Sequence, residues 1–359
     1  MCTFTAAAII PAFEPIAEAL HTTIPRTSYL VSMQIAVLGY APLFWKPISY
    51  RFGRRPVWLI ATLLSCVCNI GCAVSNSYGT LAVCRCLVSF FISPASAIGT
   101  GVVVETFFKK DRGQKAGIWT ALATLGPPTG PFVMGFVTYH VGFKWIFWIL
   151  AIINGVQFIL YIFFGPETRF IRRGVEHHGK SAFKEEYMNF GRLDPSPIRP
   201  VEFIAPAFLA KYTSILIPAV SYALVFNFAS VFLTVEIPQI FIPKFGFNPQ
   251  QLGLQFLGIM IGTVIGELLA GPLSDWWMKR GSKKVGDQLV RPKPEHRLWM
   301  SYLGFLLAIV GLIVFGIQTL HAKQLHWNVT PIIGIGIAAA GNQVSIPVLP
   351  TQCIVLTLS

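Results

Sequence analysis

The sequence predicts an all-α integral membrane protein of about ten spanning helices, and three observations predict it. Of its 359 residues, 54% are hydrophobic and only 12% are charged, about half the charged fraction of a typical soluble domain. Stretches without Asp, Glu, Lys or Arg recur along the whole chain, most of them near or above the roughly 20 residues that a spanning helix needs. Short clusters of basic residues separate these stretches.

The uncharged stretches define nine predicted spans, preceded by part of another. The first apolar run, 1–13, is too short to cross a bilayer and lacks the basic region and cleavage site of a signal peptide. We therefore expect the chain to start inside a span. The nine predicted spans are 27–45, 56–84, 86–104, 116–143, 145–166, 212–235, 245–266, 298–322 and 324–359.

The distribution of Lys and Arg predicts the orientation in the membrane. When alternate loops are assigned to opposite sides, 46–55, 109–115, 169–211 and 279–297 together hold 23 of the 28 Lys and Arg, and the other loops hold 4. Cytoplasmic loops carry this excess, so the first set, with the long central loop, is predicted to be cytoplasmic. Despite the net charge of +13, no nucleic-acid partner is predicted, because the charges form no stripe or arm.

A short internal sequence repeat, called the echo below, predicts two halves of the same architecture. The sequence KPISY at 46–50 matches GPLSD at 271–275, and bulky residues and a basic pair follow each copy. The copies stand six predicted helices apart in the same orientation, as in proteins built of two parallel six-helix halves. We expect an N-terminal bundle at 1–166, a basic linker at 167–211, and a C-terminal bundle at 212–359 that holds helices 7–10. The linker is either a regulatory segment or a solvated connection.

The two copies of the echo supply the first candidate site residues. Three arginines around a glycine can hold helix ends and acidic partners together in one conformation and so act as a gate. Alternatively, their positive charge only anchors the topology in the membrane. In the second copy, the glycine is expected to allow close approach and the aspartate to offer a carboxylate. These candidates are Arg51, Gly53, Arg54, Arg55, Gly271 and Asp275.

The segment 126–135 combines helix breakers with small residues. Prolines remove intrahelical hydrogen bonds and permit a kink, and glycines let another helix approach closely. The segment is therefore either an interface that seals a moving bundle or ordinary close packing with a kink. Its candidate residues are Gly126, Pro127, Gly130 and Pro131.

Charged and polar residues inside spans form the last group of candidates. A charge within a membrane is costly and is a functional hypothesis by default. Arg85 is a candidate for proton coupling or anion binding, with pairing to backbone carbonyls as the alternative, and Glu267 is a candidate gate or anchor near a span end. Polar and aromatic residues deep in spans either line a substrate cavity or join helices by hydrogen bonds. They are Gln34, Tyr222, Phe226, Asn227, Gln255, Asn342 and Gln343.

Several of these segments resemble one family. The sequence WKPISYRFGRRP at 45–56 resembles the loop between helices 2 and 3 of the major facilitator superfamily, although Lys46 and Tyr50 replace its usual glycine and aspartate. The sequence GPPTGP at 126–131 looks like the Gly-Pro-x-x-Gly motif of the family's proton antiporters. The position of Arg85 and the sequence PAFEPIA near the N-terminus are similar to the twelve-helix drug:proton antiporters. The segments FFKKDRGQ and GPETR are similar to fungal members.

The resemblance implies a major facilitator fold and a secondary active transporter rather than an enzyme. The implied function is proton-coupled export of small lipophilic or organic molecules, as in multidrug or toxin efflux. The partners would be a small-molecule substrate, protons and the lipid bilayer. The chain would be a monomer in the plasma membrane with its central loop in the cytoplasm, and it would hold no cofactor or metal.

Alternatives to export remain open at this stage. They are import of small solutes such as sugars or polyamines, a non-transporting sensor, and an inactive truncated transporter. The last is considered because, compared with the family's twelve helices, the chain lacks the front of helix 1 and helices 11 and 12. The sequence has no P-loop, which argues for an ion gradient rather than ATP as the energy source.

Overall fold

The computed structural model describes residues 1–108, 112–168, 200–208, 211–281, 283–285, 288–290, 296, 299–321 and 330–345. Nearly all of these residues lie in helices, which confirms the all-α class. Seven helices in the described part of the chain are long and apolar enough to cross a membrane. One short hairpin also occurs, in which strand β1 (Lys283–Val285) pairs antiparallel with strand β2 (Gln288–Val290).

The contacts divide the chain into two compact units, and the first comprises 1–120 and 137–208. It begins with two short helices joined by a 3-10 turn, Ile10–Ala12, where the sequence predicted part of one span. Long helices follow. The helices of this unit are α1 (Cys2–Ala7), α2 (Phe13–Ala19), α3 (Ile24–Phe52), α4 (Arg54–Val74), α5 (Tyr78–Ile92), α6 (Pro94–Thr106), the two ends of α7 (Arg112–His140), α8 (Lys144–Phe164) and α9 (Val201–Phe208).

Polar side chains join α4 to α8 inside the first unit. The amide nitrogen of Asn154 donates to the hydroxyl of Ser65 at 3.1 Å, and Asn69 donates to the Ser65 carbonyl at 2.9 Å. All three side chains are buried. Hydrogen bonds and close packing associate helices in a bilayer, because lipid tails are as apolar as the side chains.

The second unit comprises 121–136 and 209–359, and its helices pack backbone against backbone. A Cβ at Gly311 would lie 2.7 Å from the Cα of Ala338, and one at Gly304 would lie 2.8 Å from the Gly341 carbonyl oxygen. Small residues permit this approach. The elements that follow α7 are α10 (Thr213–Phe226), a π-helix (Asn227–Phe232), α11 (Leu233–Phe245), α12 (Pro249–Gln255), α13 (Leu257–Arg280), α14 (Trp299–His321) and α15 (Thr330–Ser345).

The structure corrects several predicted span boundaries. The predicted loop 46–55 is helical except at Gly53, because α3 continues to Phe52 and α4 begins at Arg54. The span predicted to end at 235 continues through α11 to Phe245, where Gly246 adopts the left-handed conformation that stops it (φ 63°). At both boundaries, the charged residues lie within a helix that continues past them, so a charge in the sequence did not mark the end of a helix.

The two units can be compared with the predicted division of the chain. The prediction followed chain order, with boundaries at 166 and 212, whereas contacts also place 121–136 in the second unit, because that part of α7 packs on α12. Most of the predicted linker, 169–199, lies outside the described residues, and so do its proposed regulatory features. The described part of the linker includes α9.

Candidate functional site

The signature turn, defined here as Arg51–Arg55, lies at the junction of α3 and α4. Gly53 has a φ of 92°, a conformation that side chains with a Cβ rarely adopt, and this allows the chain to reverse with one residue between the helices. Arg51, Arg54 and Arg55 are 8%, 5% and 9% exposed. The turn therefore concentrates three largely buried cations at one end of the first unit.

A carboxylate from the end of α8 caps α4. The two oxygens of Glu167 accept hydrogen bonds from the backbone N–H groups of Arg54 and Arg55, at 3.0 and 2.9 Å. Free N–H groups and the helix dipole make a helix N-terminus favourable for an anion. In return, the guanidinium of Arg55 donates to the carbonyl of Ile162 at 2.9 Å, near the C-terminus of α8. The negative charge of Glu167 thus offsets the positive end of the α4 dipole, and the positive charge of Arg55 offsets the negative end of the α8 dipole.

A second carboxylate reaches the signature turn from α9. The guanidinium of Arg51 donates to Glu202 at 2.5 Å. Beside this ion pair, the rings of Phe44 and Phe203 lie 5.8 Å apart between centroids. The short helix is therefore held on α3 by a charged contact and an aromatic contact.

The second copy of the echo differs from the first. Gly271 and Asp275 lie on the exposed side of α13, which continues to Arg280 without a turn. The close approach expected at Gly271 is wrong for the described residues, because a Cβ there would meet nothing within 4 Å. A short sequence echo therefore does not give the two copies the same backbone.

The proline and glycine segment of α7 makes a backbone contact with α12, inside the second unit. A Cβ at Gly135 would lie 2.7 Å from the Pro249 carbonyl oxygen and 3.0 Å from the Cα of Gly253. From the other side, a Cβ at Gly253 would lie 3.0 Å from the carbonyl oxygen of Pro131. The helix continues unbroken through the prolines. Among the four predicted residues, Gly130 and Pro131 are buried, while Gly126 and Pro127 are half-buried.

Arg85 is held in the first unit by α1. Its guanidinium donates to the carbonyls of Thr5 and Ala6, at 3.3 and 3.1 Å, and its central carbon lies 6.0 Å from the centre of the Phe147 ring. The side chain is 1% exposed. A cation is favourable here because the carbonyls belong to the last turn of α1, whose dipole is negative at that end. Among the described residues, these are the carbonyl contacts that the sequence offered as an alternative.

Helices α13 and α15 approach each other closely at the residue that precedes Glu267. A Cβ at Gly266, the residue before Glu267, would lie 2.7 Å from the Cβ of Gln343. One carboxylate oxygen of Glu267 and the side-chain oxygens of Asn342 and Gln343 are buried without a hydrogen-bond partner among the described residues. The structure therefore places Gln343 of α15 against Gly266, the residue before Glu267 in α13.

The remaining cavity candidates are spread over both units. Gln34 is fully buried in α3 and makes no side-chain hydrogen bond to a described residue, and Gln255 donates to the Gln251 carbonyl at 3.1 Å. Asn227 is exposed, whereas Tyr222 and Phe226 are half-buried, with ring centroids 5.9 Å apart. Asn227 begins a π-helix, a distortion that is frequent at functional sites.

The predicted candidates omitted three acidic residues, Glu167, Glu202 and Glu236. Glu167 and Glu202 lie in the predicted basic linker 167–211, and that position was the available signal. Glu236 was missed because its charge was taken as the end of a span, although it lies within Ala219–Phe245, a helical stretch long and apolar enough to cross a membrane. Among the described residues, no group of three His, Cys, Asp or Glu could hold a metal ion.

Comparison with known proteins identifies the family. The family model described as Major Facilitator Superfamily matches residues 1–354. The chain belongs to the major facilitator superfamily. The predicted resemblance and the predicted fold are thereby confirmed, and the family is one of membrane transporters rather than of enzymes.

Fungal major facilitator proteins are among its relatives. The chain is 29% identical to the MFS-type transporter hepF of Aspergillus oryzae, over 88% of this chain and 64% of hepF. It is 26% identical to the probable efflux pump mfs2 of Aspergillus flavus, over 93% of this chain and 79% of mfs2. It is 30% identical to the MFS transporter fsa7 of a Fusarium species, over 94% of this chain and 67% of fsa7. The chain thus spans about two thirds of the length of hepF and fsa7.

Proposed function

We propose that the protein exports small lipophilic or organic molecules in exchange for protons. The observation that carries this proposal is the backbone contact of α7 with α12, centred on Gly135 and Gly253. An antiporter must let its helices shift without opening a continuous path for water or protons. Two helices in backbone contact leave no room for a continuous chain of water molecules between them, because a water molecule needs space and polar partners.

The residues proposed for proton coupling are the charges within spans. Arg85 is buried at the end of α1, and Glu236 and Glu267 lie in spans of the second unit. In the described structure, these two carboxylates make no ion pair. Acidic side chains inside membrane helices commonly mark proton relays, so we propose that Glu236 and Glu267 exchange the proton and that Arg85 holds α1 in place.

The signature turn is proposed as a cytoplasmic gate. Arg51, Arg54 and Arg55 already engage Glu167 and Glu202, and a network of charged hydrogen bonds can favour one conformation over another. Polar residues in the spans, including Gln34 and Gln343, are proposed to face the substrate in some step of the cycle. We also propose that the protein is a monomer of two helical bundles, 1–166 and 212–359, in the plasma membrane. Its central loop is proposed to be cytoplasmic, which the excess of basic residues in 46–55 and 169–211 supports.

Relatives support export over the alternatives. The name of mfs2 describes a probable efflux pump, and the relative radE of Floropilus chiversii is named an efflux pump. Both are only 26% identical to this chain, so their names support the direction of transport and leave the substrate to experiment.

The test is drug resistance in a host that lacks its own exporters. Cells that express the protein should resist lipophilic toxicants, and a protonophore should abolish the resistance, because protons returning down their gradient drive the export. Arg85→Ala should abolish export while the protein stays in the membrane. A substitution at an exposed, uncharged position, Ser32→Ala, is the matched control and should export normally.

The result also separates the alternatives. Resistance that persists after the gradient is dissipated would exclude proton antiport. Greater sensitivity than in empty-vector cells would show inward transport. Ligand-dependent signalling without flux in proteoliposomes would show a sensor.

A further inference from the structure

The helix α13 is longer than the hydrocarbon core of a bilayer. It has 24 residues, which corresponds to about 36 Å along a helix, whereas the core of a typical bilayer is about 30 Å thick. Apart from Glu267, the charged residues of α13 all lie at its C-terminal end, in 275–280. The last turn of α13 therefore extends beyond the core into the layer of lipid headgroups.

Exposed aromatic side chains lie at the same end of the spans. Trp276 of α13 is 50% exposed, and Trp299 and Tyr302, at the start of α14, are 62% and 63% exposed. Helix α14 is the next spanning helix after α13, so its first turn lies on the side of the membrane where α13 ends. Tryptophan and tyrosine are enriched where the core meets the headgroups. These rings therefore mark the level of the headgroups at this end.

Two exposed cations lie beside Trp276, at the very end of α13. They are Lys279 and Arg280. The central carbon of the Arg280 guanidinium lies 5.3 Å from the centre of the Trp276 ring, and such a cation–π contact holds the charge next to the ring. One exposed acid, Asp275, lies a turn earlier. Positive charge thus prevails beside an exposed apolar ring.

The segment that follows α13 adds two more basic residues. Strand β1 begins with Lys283 and Lys284, and the three residue steps from Arg280 to Lys283 reach at most about 11 Å. Further along the chain, the ring of His296 stacks on Trp277, with centroids 5.7 Å apart and planes at 16°. The segment therefore leaves from the last turn of α13 and returns to it.

We propose that this end of α13 binds an anionic phospholipid, with Lys279 and Arg280 on the headgroup phosphate and Trp276 against the first part of an acyl chain. Clusters of four or more basic residues next to a spanning helix attract anionic lipids. The stems of lysine and arginine can lie on apolar surface while their charges reach the headgroups. The ligand is a lipid rather than free phosphate, because a lipid also covers the exposed ring.

The first test measures the affinity for two lipids by native mass spectrometry of the purified protein in detergent. The parent should bind phosphatidylserine more tightly than phosphatidylcholine with the same chains. Lys279→Gln combined with Arg280→Gln should weaken phosphatidylserine binding on the order of 25-fold, since each basic residue contributes about fivefold. Lys279→Arg combined with Arg280→Lys keeps both charges and is the matched control, which should bind as the parent does.

A second test locates the lipid by the quenching of tryptophan fluorescence with brominated phosphatidylserine. Trp276→Phe removes one of nine tryptophans and should remove a larger share of the quenching than Trp145→Phe. Trp145, at the start of α8, is similarly exposed, at 47%, and has no second basic residue beside Lys144. Every substituted side chain is exposed, so each variant should elute from size-exclusion chromatography as the parent does.

Any of three results would overturn the proposal: equal affinity for the two lipids, equal phosphatidylserine affinity of the parent and the neutral double variant, or equal loss of quenching at Trp276 and Trp145. Inorganic phosphate should displace the lipid no better than chloride of the same ionic strength, which only screens the charges. Stronger displacement by phosphate would assign the site to the free anion instead. None of these measurements depends on transport, so they stand whether or not the protein exports a substrate.

Discussion

Substitution of Gly135 by alanine tests the contact on which the proposed function rests. The added Cβ would lie 2.7 Å from the Pro249 carbonyl oxygen and 3.0 Å from the Cα of Gly253. Both atoms belong to the backbone, so no side chain can rotate out of the way. The first contact must lengthen by about 0.7 Å to reach the 3.4 Å of ordinary van der Waals contact.

The magnitude follows from two opposing terms. Overpacking of this kind destabilises by about 1–3 kcal/mol, while replacing a helical glycine by alanine stabilises by about 1 kcal/mol. Gly316→Ala in α14 supplies the second term alone, because a Cβ there meets nothing within 4 Å. The difference in the free energy of unfolding between the two variants therefore isolates the steric term and should be about 1–3 kcal/mol.

Unfolding of the purified variants by SDS in mixed micelles measures this difference, with tryptophan fluorescence as the signal. Gly316→Ala should be slightly more stable than the parent and Gly135→Ala less stable than Gly316→Ala. If the two variants have the same free energy of unfolding, α7 and α12 are not in backbone contact, and the argument for a sealed interface is wrong. A proton leak through liposomes carrying Gly135→Leu, absent for Gly316→Leu, would extend the result to function.

Three further predictions concern the charged sites. Glu167→Ala should lower the free energy of unfolding by about 1–2 kcal/mol, since α4 loses its cap. Glu167→Gln should lower it less, because an amide oxygen still accepts a hydrogen bond. Unfolding of both variants by SDS measures the two values. Arg85→Met should cost about 1–3 kcal/mol by leaving two buried carbonyls unsatisfied, and equal stability of Arg85→Met and the parent would show that the carbonyl contacts are dispensable. A single cysteine at Lys284 should resist an impermeant thiol reagent added outside intact cells and react after permeabilisation, and labelling from outside would reverse the proposed topology.

Motifs with fixed local geometry could be predicted from the sequence. The signature turn depends on Gly53 and its neighbours, and the structure shows the positive φ that the glycine permits. The segment containing Gly126 and Pro131 also indicated a close interface, and it contains the contact residue Gly135. The information for both features lies within a few consecutive residues.

Partners distant in sequence could not be predicted in the same way. Glu202 is 151 residues from Arg51, and neither side chain carries a local signal that names the other. Glu236 was misplaced because one charge interrupts an apolar run without ending the helix. Gly271 repeated the sequence pattern of the first copy without its backbone turn.

The sequence by itself determined the class of the protein, its long apolar helices and the family to which it belongs, because hydropathy and short motifs are properties of neighbouring residues. The tertiary structure decided the contacts within each unit: Glu167 on the N-terminus of α4, the carbonyls of α1 around Arg85, and Gln343 beside Gly266. These contacts depend on how helices cross, and crossing is set by small residues and buried hydrogen bonds between distant segments. A charge inside an apolar run therefore acquires its partner only when the helices have packed.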